Sequence, residues 1–387
     1  MTASPHRTPT RRAVGAGALS LLTAGAARAA PLTETLVYVG TQANEAGQGV
    51  VAARLDAKTG RLTPLGVVAE IARPTWVLAH PSRSVLYAVS ETGAADGQVQ
   101  GKVHALRADP ATGRLSPISA VDSGGGGPTH LALDAAVKGL LVANYASGHV
   151  AALPVRADGG LEPPASVQAD QGSGPSPRQK GPHAHGSVVD PSGRFALVAD
   201  LGADRVFVYP YDRRARRLGP ASADSLALPP GSGPRHLAFH PGGRFVFLIS
   251  ELTPQLRTYA WDAHKGRLTP THATPPLSET PKASGAEIAI SRDGRFVYAS
   301  VRVENVIVAF AVDPRTGALT EIQRVASGGQ TPWSFAIDQT GRWLLAANQG
   351  SNTVTVLARD PATGRLAPTD QSLAVGKPTS LAFLAAR

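Results

Sequence analysis

Two histidines separated by one residue, His183 and His185, stand out in this 387-residue chain, and Arg235, Glu251 and Arg302 follow them. Arg235 lies fifty residues after His185, and Arg302 fifty-one after Glu251. Glu91, Tyr145, Trp333 and Gln349 keep the same beat. A guanidinium presents a planar fork suited to carboxylate or phosphate. A glutamate beside arginines stays ionised and, partly desolvated, can act as a base. An imidazole can orient or deprotonate water, or donate to a leaving oxygen. The set suits an anion that carries an electrophilic carbonyl. A structural ion-pair network would use the same residues. The pair His183 and His185 lacks a third His or Asp at a fixed spacing, so no metal is expected. His130 and His236 fall one register further on, where core histidines are as well accounted for as ligands.

Other chemistry is excluded or unsupported. Cysteine is absent, which removes disulfides, thiolate zinc, iron–sulfur clusters, CxxCH haem and a cysteine nucleophile. There is no GxSxG elbow and no HExxH. The run Gly124–Gly127 leads into a strand pattern, so it reads as a loop and not a phosphate cradle. No cofactor is expected.

The elements that must position these residues repeat seven times. One phrase recurs as DAKTGRLTP from Asp56, DPATGRLSP from Asp109, RADGGLEPP from Arg156, YDRRARRLGP from Tyr211, DAHKGRLTP from Asp262, DPRTGALTE from Asp313 and DPATGRLAP from Asp360. A second phrase keeps the period: HPSRSVLYAVS at His80, DAAVKGLLVAN at Asp134, DPSGRFALVAD at Asp190, HPGGRFVFLIS at His240, SRDGRFVYAS at Ser291 and DQTGRWLLAAN at Asp338. Each unit reads as four short strands joined by Gly- and Asp-rich turns. Near-continuous apolar runs such as FVFLIS fit strands buried on both faces. Four-stranded units at this period predict an all-β fold, a seven-bladed β-propeller. LVYVGTQ at the start lacks a first strand, and PTSLAFLAAR at the end lacks a second. The C-terminal strand is therefore expected to complete the N-terminal blade and close the ring.

Aligned on the second phrase, one column holds Thr75, Thr129, His185, Arg235, Ala286, Trp333 and Thr379. Another holds Glu91, Tyr145, Leu201, Glu251, Arg302 and Gln349. Both columns are expected to ring one mouth of the central channel. The irregular stretch before His185 enters from that side, as a flap over the site or as an insertion.

Residues 1–29 read as a leader. Arg7, Arg11 and Arg12 precede a small apolar stretch, and Ala27-Arg28-Ala29 fits a signal-peptidase site. The paired arginines point to the twin-arginine route, with the general secretory route as the alternative. Residues 30–387 then form a single propeller domain, periplasmic or secreted. The stretch is too short for a retained membrane span, so no membrane contact is expected after cleavage. Cleavage removes four arginines and no acid, lowering the formal charge from +10 to about +6. No basic run is interleaved with aromatics, so nucleic acid is not an expected partner.

The stretches LVYVGTQ, RQKGPHAHGSVVDPSGRFALVADLGADRVFVY, GPRHLAFHPGGRFVFLISEL, ASGAEIAISRDGRFVYASVR and FAIDQTGRWLLAANQGSNTVTV resemble the lactonase family of seven-bladed propellers. That family includes bacterial 6-phosphogluconolactonase and fungal carboxy-muconate lactonising enzyme. The resemblance implies opening or closing of small lactones without a required metal. It places the family's site on His185, Arg235, Glu251 and Arg302, with His183 beside them. The family often has Pro-Arg where this chain has Pro332-Trp333, which bears on phosphate recognition.

The expected function is that of an exported, monomeric lactonase. Its substrate would be a small lactone or an anionic sugar acid. Glu251, with His185, is expected to activate water, and Arg235 and Arg302 to hold the substrate. Glu91, Tyr145, His183, Trp333 and Gln349 are expected to line the substrate site. The alternatives are a non-catalytic binding propeller and a muconate-type lactonising lyase.

Overall fold

The computed structural model describes residues 1–3, 34–42, 45, 47–94 and 99–385. The leader expected over residues 1–29 lies, beyond its first three residues, outside the described residues. Seven antiparallel sheets follow the predicted period and form a seven-bladed β-propeller. Blade 1 is built from Glu34–Thr41, Val50–Asp56 and Leu62–Ala69, with Pro378–Ala385 as its inner strand. Thr35 to Thr41 pair antiparallel with Ala385 to Pro378, so the last strand closes the ring as expected. Blades 2 to 7 follow in chain order over 77–122, 128–169, 184–227, 234–273, 284–326 and 332–374. Blade 4 departs slightly. Its outer edge is split into Arg217–Leu218 and Leu226–Ala227, where the first phrase is most degenerate.

The apolar side chains gather in seven clusters, each between two neighbouring blades. Phe247 and Ile249 of blade 5 pack with Val297, Ala299 and Val308 of blade 6. Val37 and Val39 of blade 1 pack with Leu345 and Val356 of blade 7. Second strands such as Phe245–Ser250 and Trp343–Asn348 are buried at every residue, because each has a blade on both faces. Fully burying one such side chain stabilises by about 1.5–3 kcal/mol. Stability therefore resides between the blades, and the channel is free to carry polar groups.

The two repeated phrases interlock. In the first, an Asp accepts backbone N–H groups two and three residues ahead, as Asp56 does from Lys58 and Thr59. The turn then needs a left-handed residue, and Gly60 supplies it at φ 72°. That glycine meets the aromatic of the second phrase in the preceding blade. A Cβ at Gly60 would lie 2.7 Å from Trp343, whose indole N–H donates to Ala57 O at 3.1 Å. Gly364 stands in the same way against Phe296, and Gly266 against Phe195.

Each inner strand from blade 3 onward, the closing strand included, carries a β-bulge near its mouth end. Thr129, His185, Arg235, Ala286, Trp333 and Thr379 all fall within these register shifts. They are the predicted mouth column. A bulge places an unpaired residue in the ladder and re-aims its side chain. Here it lets two successive residues, such as Arg235 and His236, both join the buried polar cluster of the channel.

The closing strand generates a test. Leu384 is buried against Leu36 and Tyr38. Leu384→Ala is expected to cost about 2–5 kcal/mol, read from urea denaturation. Deleting residues 378–387 is expected to lower the melting temperature by far more, since it exposes the edge of Glu34–Thr41.

Candidate active site

Four of the sequence-derived residues meet at one carboxylate. Glu251 directly follows the second strand of blade 5, Phe245–Ser250, and is 2% exposed. Its Oε2 accepts from Arg235 Nε at 2.9 Å and forms an ion pair with Arg302 Nη2 at 2.9 Å. His185 Nε2 lies 3.7 Å from the same oxygen, beyond hydrogen-bond distance. Arg235 comes from the inner strand of the same blade and Arg302 from the second strand of blade 6. Both guanidiniums are also held by carbonyls. Arg235 Nη1 donates to Ala286 O at 2.6 Å, and Arg302 Nη2 to Gly285 O at 3.1 Å.

Sequence reasoning missed a third arginine. Arg178 lies in the irregular stretch before His185, and its Nη1 reaches Glu251 Oε1 at 2.5 Å. Its Nη2 donates to Tyr145 Oη at 3.0 Å. The stretch is a pinned flap. Gln179 is fully buried and donates to Leu201 O at 2.8 Å, while Asp170 at the start accepts from Tyr209 Oη. Asp200 Oδ1 accepts from His183 N at 2.8 Å at the far end. The Arg178 side chain is nevertheless 49% exposed, unlike Arg235 at 2%. No repeat position marks Arg178, because the flap is where the repeat breaks.

These charges set the protonation states. Burial alone would raise the Glu251 pKa, but Arg302, Arg235 and Arg178 outweigh it and hold it at about 2. Burial lowers Arg235 to about 10, so it remains charged at neutral pH. Burial, then Arg235 and His236, push His185 well below the usual 6.5. His185 is therefore a neutral imidazole, and its buried Nδ1 has no hydrogen-bond partner among the described residues. This bears on the role expected of Glu251. A carboxylate held at about 2 by three guanidiniums is a weak proton acceptor at neutral pH. It compensates the charge of two buried guanidiniums.

The remaining predicted residues divide into two groups. Trp333 lies over the arginines, with its ring centre 4.8 Å from the Arg302 guanidinium and 6.0 Å from that of Arg235. Tyr145 stacks on His183 at 4.6 Å and meets His185 edge-on at 5.3 Å. His183 Nδ1–H donates to Tyr145 O at 2.8 Å. Glu91 instead pairs with Arg73 at 3.2 Å, and Gln349 donates to Gln42 at 2.7 Å. Neither makes an ion pair or hydrogen bond to the Glu251 cluster among the described residues.

A second layer lies one register deeper, in the column Trp76, His130, Gly186, His236, Glu287 and Ser334. Trp76, His130, His185 and His236 are in ring contact, at 4.3 to 5.3 Å between centres. Of this column the repeat pattern singles out only the two histidines; Trp76 and Glu287 carry no sequence signal of their own. Among the described residues, no group of three or more His, Asp or Glu could hold a metal ion. With Arg178, Arg235 and Arg302 against Glu251 and Glu287, the site has an excess of one positive charge.

A family model described as a seven-bladed β-propeller lactonase matches residues 36–383. A 6-phosphogluconolactonase of Bacillus subtilis is 31% identical over 306 residues, covering 79% of this chain and 85% of its own. One from Formosa agariphila is 31% identical over 295 residues, covering 75% and 82%. Among solved structures, a periplasmic gluconolactonase of Pseudomonas aeruginosa is 37% identical. It superposes with a TM-score of 0.83 over 92% of this chain and 100% of that one.

The site contributes to the acid limit of stability. The Glu251 pKa is depressed from its ordinary 4.5 to about 2. Its contribution, about 3 kcal/mol, is complete above pH 4.5 and is lost as the pH falls toward 2. The buried neutral imidazoles add a loss that begins below about 6.5, where the unfolded chain takes up protons first. Urea midpoints measured from pH 8 to pH 3 are expected to fall in these two windows. Glu251→Gln is expected to cost about 3–5 kcal/mol at pH 7 by stranding buried cations, and to make the loss below pH 4.5 shallower, with the remainder due to other carboxylates such as Glu287 and Asp293.

Proposed function

The chain belongs to the seven-bladed β-propeller lactonase family, and on that premise we propose that it hydrolyses a non-phosphorylated sugar-acid lactone outside the cytoplasm. The observation that carries the reading is the convergence of Arg235 and Arg302 on Glu251, both guanidiniums fixed and desolvated. Preorganised donors of this kind stabilise charge that develops in a transition state. Arg302 Nε, buried and without a hydrogen-bond partner among the described residues, is one such donor.

Water attacks the lactone carbonyl carbon. The carbonyl oxygen becomes an oxyanion facing the arginines. A neutral imidazole of the channel takes the proton from the water and returns it to the ring oxygen as the C–O bond breaks. The product is a hydroxy acid whose carboxylate matches the single excess positive charge. Arg178, on the exposed flap, is the guanidinium free to move from Glu251 to that carboxylate. Trp333 offers an apolar platform to the C–H face of a sugar ring, with Tyr145 and His183 as the wall beside it.

Two features support a substrate without phosphate. Two of the three arginines are committed to Glu251 and backbone carbonyls, which leaves little cationic capacity for a dianion. The leader-like residues 1–29 would also carry the protein away from phosphorylated sugars, which are cytoplasmic. The 37% identical relative in Pseudomonas aeruginosa is a periplasmic gluconolactonase, which supports the same direction.

Acid release on a pH-stat tests the activity. Gluconolactone is expected to turn over, gluconolactone 6-phosphate more slowly, and muconolactone least. Arg235→Ala and Arg302→Ala are each expected to lower kcat about 10²–10³-fold. No turnover above background by the folded protein would favour a binding propeller instead. Mass spectrometry of the secreted protein is expected to find an N-terminus near residue 30. Uncleaved protein in the cytosol would restore the phosphorylated substrate.

A further inference from the structure

We propose that His236, held by Glu287, is the imidazole that takes the proton from the attacking water; this rests on the lactonase reading above. Three imidazoles lie together beneath the arginines, with ring centres 4.9 Å apart for His130 and His236 and 5.1 Å for His185 and His236. Whichever accepts a proton must carry a positive charge in a buried place beside Arg235. Only His236 has a carboxylate within hydrogen-bond distance, Glu287 Oε1 at 2.8 Å. His130 Nδ1 accepts from Ser187 N at 3.3 Å. His185 stands 3.7 Å from a Glu251 oxygen already committed to two guanidiniums. A charge formed on His236 is therefore compensated in place.

Glu287 is itself fixed. Its Oε2 accepts from Ser334 Oγ at 2.8 Å and its Oε1 from Ile288 N at 3.0 Å. Its own N–H donates to Ser300 Oγ at 2.9 Å. These bonds leave Oε1 facing His236 Nδ1, so Nδ1 carries the proton and Nε2 the lone pair. Arg235 Nη1 lies 3.3 Å from Nδ1 and 3.4 Å from Nε2, so the guanidinium must give way at Nε2 for water to reach that lone pair. Gly186 makes the room, since a Cβ there would stand 2.9 Å from the His236 ring. The charged and titratable groups facing His236 are Arg235, Glu251, Glu287, His130 and His185.

The step balances without a further reagent. A water O–H bond breaks, its proton passes to His236 Nε2, and the oxygen bonds to the carbonyl carbon. As the ring C–O bond breaks, the same proton passes from Nε2 to the ring oxygen. His236 ends neutral. Glu287 is a positioning residue and stays ionised throughout.

Imidazole 15N NMR titration of the whole protein, paired with pH–rate profiles, tests this. In the wild type, His236 is expected to carry its proton on Nδ1 and to titrate above both His130 and His185. Glu287→Gln is expected to lower that titration and to shift the acid limb of kcat/KM in the same direction. Its kcat is expected to fall at least 10²-fold with KM changed less than threefold. A proton on Nε2, titration of His185 above His236, or kcat within threefold in Glu287→Gln would each overturn the role. The wild-type titration decides the matter even if the variant does not fold. A wild type inactive on every lactone would overturn the lactonase reading itself; an active one with the wrong tautomer would overturn only His236.

Discussion

Two arginine side chains have been taken out of water at one end of the channel, and a single glutamate makes this tolerable. Removing a guanidinium from water costs several kcal/mol unless a partner compensates for it. Glu251 compensates Arg235 and Arg302 together, while backbone carbonyls of blade 6 satisfy other donors. Much of this side of the mouth is built around that cluster. Trp333 covers the guanidiniums, the flap delivers Arg178 to the free carboxylate oxygen, and the imidazoles stay neutral because burial disfavours their charged form and Arg235 adds to that. The carboxylate is buried in order to hold cations, which is why it is ill suited to accept a proton.

The propeller can bear this polar centre because its cohesion lies elsewhere. Seven apolar clusters fill the seven gaps between blades, and the aromatic of one repeat sits on the turn glycine of the next. No cluster needs the channel. The inner strands can therefore point charged and aromatic groups at one another without opening a hole in a core. Two layers result, a guanidinium layer at the mouth and an imidazole layer beneath it, joined through Arg235 and His236 on adjacent positions of one bulged strand.

Most of the fold was legible because the repeat encodes one physical unit seven times. Asp-x-x-x-Gly turns and buried second strands keep their residues, and the mismatch between the two chain ends announced the closing strand. The site was legible where it follows the repeat, as at His185, Arg235, Glu251 and Arg302. Arg178 was hidden because the flap has no counterpart in other blades. Glu287 was hidden because a lone acid beside Ala286 carries no pattern; it matters only once His236 is known to face it at 2.8 Å. Glu91 and Gln349 sit in the predicted column but found partners nearby in Arg73 and Gln42. A shared register brings side chains to the same rim, and only local charge decides which of them meet.

The bulges carry a consequence for how such a molecule changes over time. His185, Arg235 and Trp333 occupy positions that the ladder steps over. A residue outside the pairing can be exchanged without shifting the register of its strand, and the apolar gaps between blades are untouched by the exchange. The rim is thus a set of positions whose side chains answer to one another, as Arg235 and Arg302 do through Glu251, but not to the register of the strands that carry them. Mutational drift can explore new combinations there while the ring stays folded, and a library randomised at these few positions would sample new binding chemistries from folded members.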